Sequence, residues 1–250
     1  MYDLTKKYED FKTKLQYNPR TGIESCGDGY LDIIPAHLNI QLYVLNGEPD
    51  DEPDYERDFT FSLDESFKEL IEASWENNLQ YSFDKDKSNH PNLTHRQDNI
   101  GSYSFMSPRD FLGAEPWLQD LTTEDNKDYE LIGKLHIIDN TNVKYQYACI
   151  HFDRKDDNSI FENKLYLYND EKVHHLKLSL REYYETCLKM YCIENWQLLF
   201  IDKEEAAAYG TKMNDLAKTY RDLQITFPED DLSFIESRMK EYGVLANQIN

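Results

Sequence analysis

Positive charge is what this chain has least of. Its 250 residues carry 27 lysines and arginines against 48 aspartates and glutamates, a formal net charge of -21. Such an excess repels nucleic acid and anionic membrane, whose binding depends on cations meeting phosphates. It favours basic partners and fast, steered encounters with them. No run approaches 18 apolar residues, so no segment is expected to cross a membrane. The opening MYDLTKKYEDFK has no apolar centre and does not read as a secretory signal. Cysteine is scarce: Cys26, Cys149, Cys187 and Cys192, with no CxxC pair. These read as small buried hydrophobes of a reducing compartment, and a cytoplasmic protein is expected. The P-loop, GxGxxG, GxSxG and HExxH signatures are all missing, and no internal repeat is found. No cofactor is expected.

Aromatic residues are abundant, with 19 Tyr, 12 Phe and 3 Trp. Disordered acidic chains lack them, so this chain is expected to fold. Its length suits a single domain over residues 1–250. The clearest local pattern runs from Lys164 to Ile201. Leu165 to Tyr168 make a strand, Asn169-Asp170-Glu171 a turn, and Val173 to Leu178 an alternating return strand. Ser179, with Glu182 three residues on, forms a capping box, and Leu180, Tyr184, Cys187, Leu188 and Tyr191 then recur at helical spacing.

Taken in order, Leu4, Tyr8, Phe11 and Leu15 predict a first helix ending near Tyr17, and Cys26 to Gly29 a flexible turn. Pro35 and Asn46-Gly47 bracket a second helix over IPAHLNIQLYVLNGE. Phe59 to Leu63 reads as a strand, Asp64 to Asn77 as a helix, and Asp84 to Asn99 as a long loop. Gly101 to Phe105 is a short strand, followed by a helical turn at Ser107-Pro108 that buries Phe111, Leu112, Trp117 and Leu118. Glu130 to Asp139 and Val143 to Phe152 form a hairpin turned by Asp139 to Asn142. Two helices close the chain, one over Lys203 to Leu223 and one opening at Pro228 with Leu232, Ile235 and Met239 on one face. Adjacent antiparallel strands flanked by helices argue for an α+β fold with a central, mostly antiparallel sheet and extra C-terminal helices. Its core spans about 33–201, with an insertion near 64–99 and a helical extension over 203–250.

Candidate sites are few. His174 and His175 are strand neighbours that point to opposite faces and cannot share one metal. His136 and His151 fall on facing strands and could meet across the hairpin, without an evident third ligand. Asp153, Asp156, Asp157 and Asn158 depart from the calcium-loop spacing, with Lys155 at a ligand position. The densest acidic run is Glu48 to Asp58. Repulsion and two prolines forbid a helix there, so a solvated loop is expected. Asp50, Asp51, Glu52, Asp54 and Tyr55 are the best candidates for contacting a basic partner, with Asp153, Asp156 and Asp157 second; Tyr55 and the nearby Trp75 would act as aromatic anchors.

Several of these pieces, in this order, resemble the SUKH superfamily, the fold of fungal cell-wall-synthesis regulators and of many bacterial toxin-immunity proteins. IPAHLNIQLYVLNGE is similar to its Pro-initiated helix, GSYSFMSPRDF to its aromatic strand and following turn, and YACIHFD with LYLYNDEKVHHLKLSLREYYETCL to its closing strands and helix. The resemblance covers Ile33 to Trp196. It implies a non-enzymatic immunity protein that neutralises a basic toxin domain, such as a nuclease or deaminase. The alternatives are an intracellular adaptor, as in the fungal branch, and an enzyme whose unrecognised site lies around His136 and His151.

Overall fold

Apolar positions three and four apart make the first helix. α1 (Asp3–Tyr17) buries Leu4, Tyr8, Phe11 and Leu15, the four residues its spacing puts on one face. The structure is a computed structural model and describes residues 3–27, 37–43, 56–62, 78–83, 101–106, 118–141, 143–153 and 160–245. The expected helix over 64–77, the loop over 84–99 and the turn at Ser107-Pro108 lie outside these residues.

Three stretches depart from expectation. β1 (Thr21–Gly27) occupies the place of the expected flexible turn at Cys26. β2 (His37–Tyr43) replaces the helix after Pro35. Its Leu38, Ile40 and Leu42 alternate with Asn39 and Gln41, and that pattern outweighs the Pro and Asn-Gly boundary marks. β3 (Glu56–Ser62) pairs antiparallel with β2, setting Leu38 opposite Phe61 and Ile40 opposite Phe59. β4 (Asn78–Phe83) is a strand with no counterpart in the sequence reading, and it lies between β1 and β5 (Gly101–Ser104).

The second half holds the meander. A 3-10 turn at Leu118–Leu121 and a helical turn, α2 (Tyr129–Ile132), precede β6 (Leu135–Asn140). The strand expected from Glu130 therefore starts five residues later. β7 (Gln146–Asp153), β8 (Ile160–Asn169) and β9 (Lys172–Leu176) complete a four-stranded sheet in chain order. Every ladder among the described residues is antiparallel. The fold is α+β.

β7 explains how this sheet is covered. Ala148 and Ile150 face the main core, while Cys149 belongs to a second cluster with Leu118, Ile132, Leu135, Ile137 and Tyr168. A strand buried on both faces reads as an almost unbroken apolar run, as YACI does. β8 turns into β9 through Asp170 and Glu171, with φ of 49° and 64°. Two left-handed residues match the twist of a two-residue hairpin.

α3 (Leu180–Lys189) starts where the capping box places it. The Glu182 amide donates to Ser179 Oγ at 3.3 Å, and the Ser179 amide donates to the Glu182 carboxylate at 2.7 Å. A 3-10 segment, Trp196–Phe200, follows and is entirely buried. Then come α4 (Lys203–Ala206), α5 (Gly210–Thr226) and α6 (Ser233–Glu241). α6 begins five residues after Pro228, but its Leu232, Ile235 and Met239 are buried as the spacing requires. These C-terminal helices pack into the same core as α1 and the sheets.

The three- and four-stranded sheets meet along β5 and β6, where the Ser102 hydroxyl donates to the Thr141 carbonyl at 3.2 Å. Phe105 and Asp139 form an isolated bridge, and the Met106 amide donates to the Ile138 carbonyl at 3.0 Å. An irregularity in β6 between Ile137 and Asp139 accompanies this junction.

Candidate functional site

Most of the residues expected to meet a partner lie outside the described residues: the carboxylates Asp50, Asp51, Glu52, Asp54, Asp156 and Asp157, and the aromatic Tyr55. Asp153 is the last residue of β7, opposite Ile160. The acidic run does not stay a loop to its end, because β3 begins at Glu56.

Among the described histidines, the contacts of His174 give it a structural role. His136 stands opposite Ile150 and His151 opposite Leu135, so adjacent register positions put the two on opposite faces. The register thus rules out the meeting across the hairpin that their facing strands allowed. His174 is buried and engaged through both ring nitrogens. Nδ1 lies 2.9 Å from a Glu205 carboxylate oxygen and Nε2 lies 2.7 Å from the Tyr209 hydroxyl. With its proton on Nδ1, the ring donates to Glu205 and accepts from Tyr209. Neither nitrogen is left for a metal or a substrate. Lys212 donates to the Asn169 side chain at 2.7 Å and pairs with Asp170 at 3.6 Å. Together these contacts clamp the β8–β9 hairpin to the C-terminal helices.

Two clefts among the described residues differ in their charge. The larger, about 470 Å³, is lined by Lys177, Lys203 and Arg238 against Asp202, Glu204 and Glu241. Most of its charges are paired: Lys177 with Asp202 at 3.3 Å, Lys203 with Glu241 at 3.6 Å, and Arg238 with Glu241. The Arg238 guanidinium also stacks 4.4 Å from the Phe200 ring centre. A cleft of balanced, engaged charges has little field with which to select a charged ligand.

The smaller cleft, about 300 Å³, lies at the α5–α6 junction. Asp230, Asp231 and Glu236 line it with Tyr220 and Phe227, and no basic residue does. The turn after α5 sets this up: Phe227 ends the helix, Pro228 cannot continue it, and PEDD places consecutive carboxylates before α6. The Ser233 side chain and amide hold the Asp231 carboxyl below its ordinary range, the amide at 2.9 Å, so it stays ionised in mild acid. Burial and then the charge of Glu236 push Tyr220 upward, which keeps its phenol neutral. Glu236 pairs with Lys240 one turn on, at 2.5 Å. Among the described residues no cation pairs with Asp231.

Two residues that line this cleft, Asp230 and Phe227, already meet an ammonium from outside it. Lys14 of α1 pairs with Asp230 and donates to the Tyr191 hydroxyl at 2.9 Å. Its Nζ stands 4.9 Å from the Tyr191 ring centre and 5.3 Å from that of Phe227. Carboxylate, phenol and two π faces are a natural environment for a lysine or arginine head. None of these residues stands out in sequence. The one signal is PEDD between two helices, and it is weak among 48 acids.

No family model, curated protein or solved structure matches this chain.

Proposed function

We propose that this chain is a non-enzymatic binding protein that captures a basic protein partner, and more narrowly an immunity protein that neutralises a toxin domain. The observation that carries the reading is the acid-lined, aromatic cleft at the α5–α6 junction, beside which Asp230, Tyr191 and Phe227 hold Lys14. A partner's lysine or arginine would take up the same kind of contact with Asp231, beside the Glu236–Lys240 pair. The net charge of -21 supplies the long-range attraction. Of the motifs that resemble the SUKH superfamily, the closing strands and the Ser179-capped helix support the narrower reading, while the segment likened to its Pro-initiated helix is strand β2. The acidic run before β3 would steer the encounter, and the cleft would anchor it.

The test is titration calorimetry against the C-terminal domain of the large protein encoded beside this one, at low and moderate salt. A one-to-one nanomolar complex that weakens with salt supports the immunity reading. Absence of heat at both salts sinks it.

A further inference from the structure

Cys187 and Cys192 are buried, and their sulfurs lie 3.3 Å apart. Helical spacing in the sequence runs from Leu180 through Cys187 to Tyr191, but α3 stops at Lys189, between the two cysteines. Lys189 is the last helical residue, Met190 the cap, and Tyr191 and Cys192 both take left-handed backbone, with φ of 55° and 51°. The Tyr191 amide donates to the Leu188 carbonyl at 2.9 Å and the Cys192 amide to the Cys187 carbonyl at 2.8 Å. This is the Schellman arrangement, usually built with glycine. Here it folds the chain back so that residue 192 faces residue 187 across one turn.

Tertiary contacts hold the turn. The Ser102 amide donates to the Cys192 carbonyl at 2.8 Å, the Tyr81 hydroxyl donates to the Tyr191 carbonyl, and Ile193 bridges to Gly101. A Cβ at Gly101 would fall 2.8 Å from the Cys192 carbonyl oxygen, so glycine is required for this approach. Cys149 lies in the other apolar cluster and does not share the site.

From this geometry we infer that Cys187 and Cys192 form an oxidation site, a dithiol that closes to an intramolecular disulfide and locks the end of α3 against β5. Closing it takes the sulfurs from 3.3 Å to a bond length of about 2 Å. A small-molecule disulfide suffices as oxidant. The thiolate of one cysteine attacks it, giving a mixed disulfide and one released thiol. The second cysteine then displaces the other half. The protein loses two electrons and two protons, and the oxidant becomes two thiols. Burial pushes the Cys187 thiol well above its ordinary range, so reaction runs through transient opening of the turn.

The experiment uses the full chain, incubated with excess oxidised glutathione, then denatured and alkylated. Trypsin cuts after Lys189, between the two cysteines. The expected result is loss of two of the four alkylatable thiols and a reductant-sensitive link between peptides 182–189 and 190–203. The urea midpoint of the oxidised protein should rise above that of the reduced one, and the Cys192→Ser variant should show neither link nor rise. Four surviving thiols, or lost thiols that map to Cys26 or Cys149, would overturn the assignment. A link without a higher midpoint would overturn the lock.

Discussion

The Tyr183 hydroxyl donates to the carboxylate of Asp139 at 2.7 Å, and the Ser104 amide donates to the same carboxylate at 2.9 Å. One side chain thus joins α3, β5 and β6 where the two larger sheets meet. Gln197 extends the network by donating to the Tyr183 hydroxyl at 3.1 Å. Asp139 is 1% exposed, and burial raises its pKa from 3.8 to about 6 in spite of these bonds. A folded-state pKa above the unfolded one means the native protein binds the proton more tightly. Stability from this group is therefore greatest below about pH 4 and falls as pH rises through 6. A carboxyl displaced this far is worth about 3 kcal/mol between its two forms. Urea unfolding of wild type and Asp139→Asn between pH 4 and 7 checks this. Wild type should gain more on acidification than the variant, by up to that amount. Equal pH profiles would show that the carboxyl titrates normally.

Glu182 carries the opposite sign. The Ser179 amide and hydroxyl lower its pKa, so its contribution is present at neutral pH and fades as acid protonates it. Ser179→Ala removes the side-chain cap of α3 and should cost about 1 kcal/mol at pH 7. Thermal unfolding reads it directly. A loss within error would mean that the core packing of α3 alone sets where the helix starts.

Such local signals are what the sequence displayed most clearly. Ser179 and Glu182 are three residues apart, and the cap is a matter of neighbours. The same holds for α1, whose Leu4, Tyr8, Phe11 and Leu15 need only helical spacing. β2 was hidden because Pro35 and Asn46-Gly47 are legitimate helix boundaries, while its alternation is short. The Asp139 junction and the Lys14–Asp230 contact were not legible. Their partners are 44 and 216 positions apart in the chain, and nothing in either neighbourhood marks the other. Charge was visible as a total, but its concentration at the α5–α6 turn depends on how the helices cross.

The β8–β9 turn should be improvable. Asp170 and Glu171 both hold left-handed φ, and Asp170 is paired with Lys212. Glu171 is therefore the position to change. Glu171→Gly relieves the backbone but adds freedom to the unfolded chain, for a net gain of about 0.5–1 kcal/mol. A rise in the urea midpoint with an unchanged slope is the expected outcome. A fall would show that the Glu171 side chain contributes more than its backbone costs.

Tyr191 poses the same choice with the reverse outcome. Its φ of 55° suits glycine, and removing that penalty is worth about 1–2 kcal/mol. Its ring is buried against Phe11 and Phe227, and losing a core aromatic costs about 3–5 kcal/mol. Tyr191→Gly should therefore destabilise, and Tyr191→Phe, which keeps the ring and loses the hydroxyl, should cost about 1 kcal/mol. If the glycine variant were the more stable protein, the backbone would outweigh the packing at this turn.

Binding separates steering from anchoring. Replacing Asp50, Asp51, Glu52 and Asp54 by their amides removes long-range attraction, so association should slow and its salt dependence flatten, with dissociation little changed. Asp231→Asn with Glu236→Gln acts at the cleft itself, where a partner's cation would sit between carboxylates and Tyr220. Those changes should speed dissociation, because the desolvated contact forms after the encounter. Lys14 gives a control beside the cleft: Lys14→Met removes the internal ammonium and leaves Asp230 to a partner, so dissociation should slow. Stopped-flow association and surface-bound dissociation, against whichever basic partner the calorimetry establishes, read the two rates separately. If both sets of variants changed only the association rate, the α5–α6 cleft would be part of the steering field and the anchor would have to lie elsewhere on the chain.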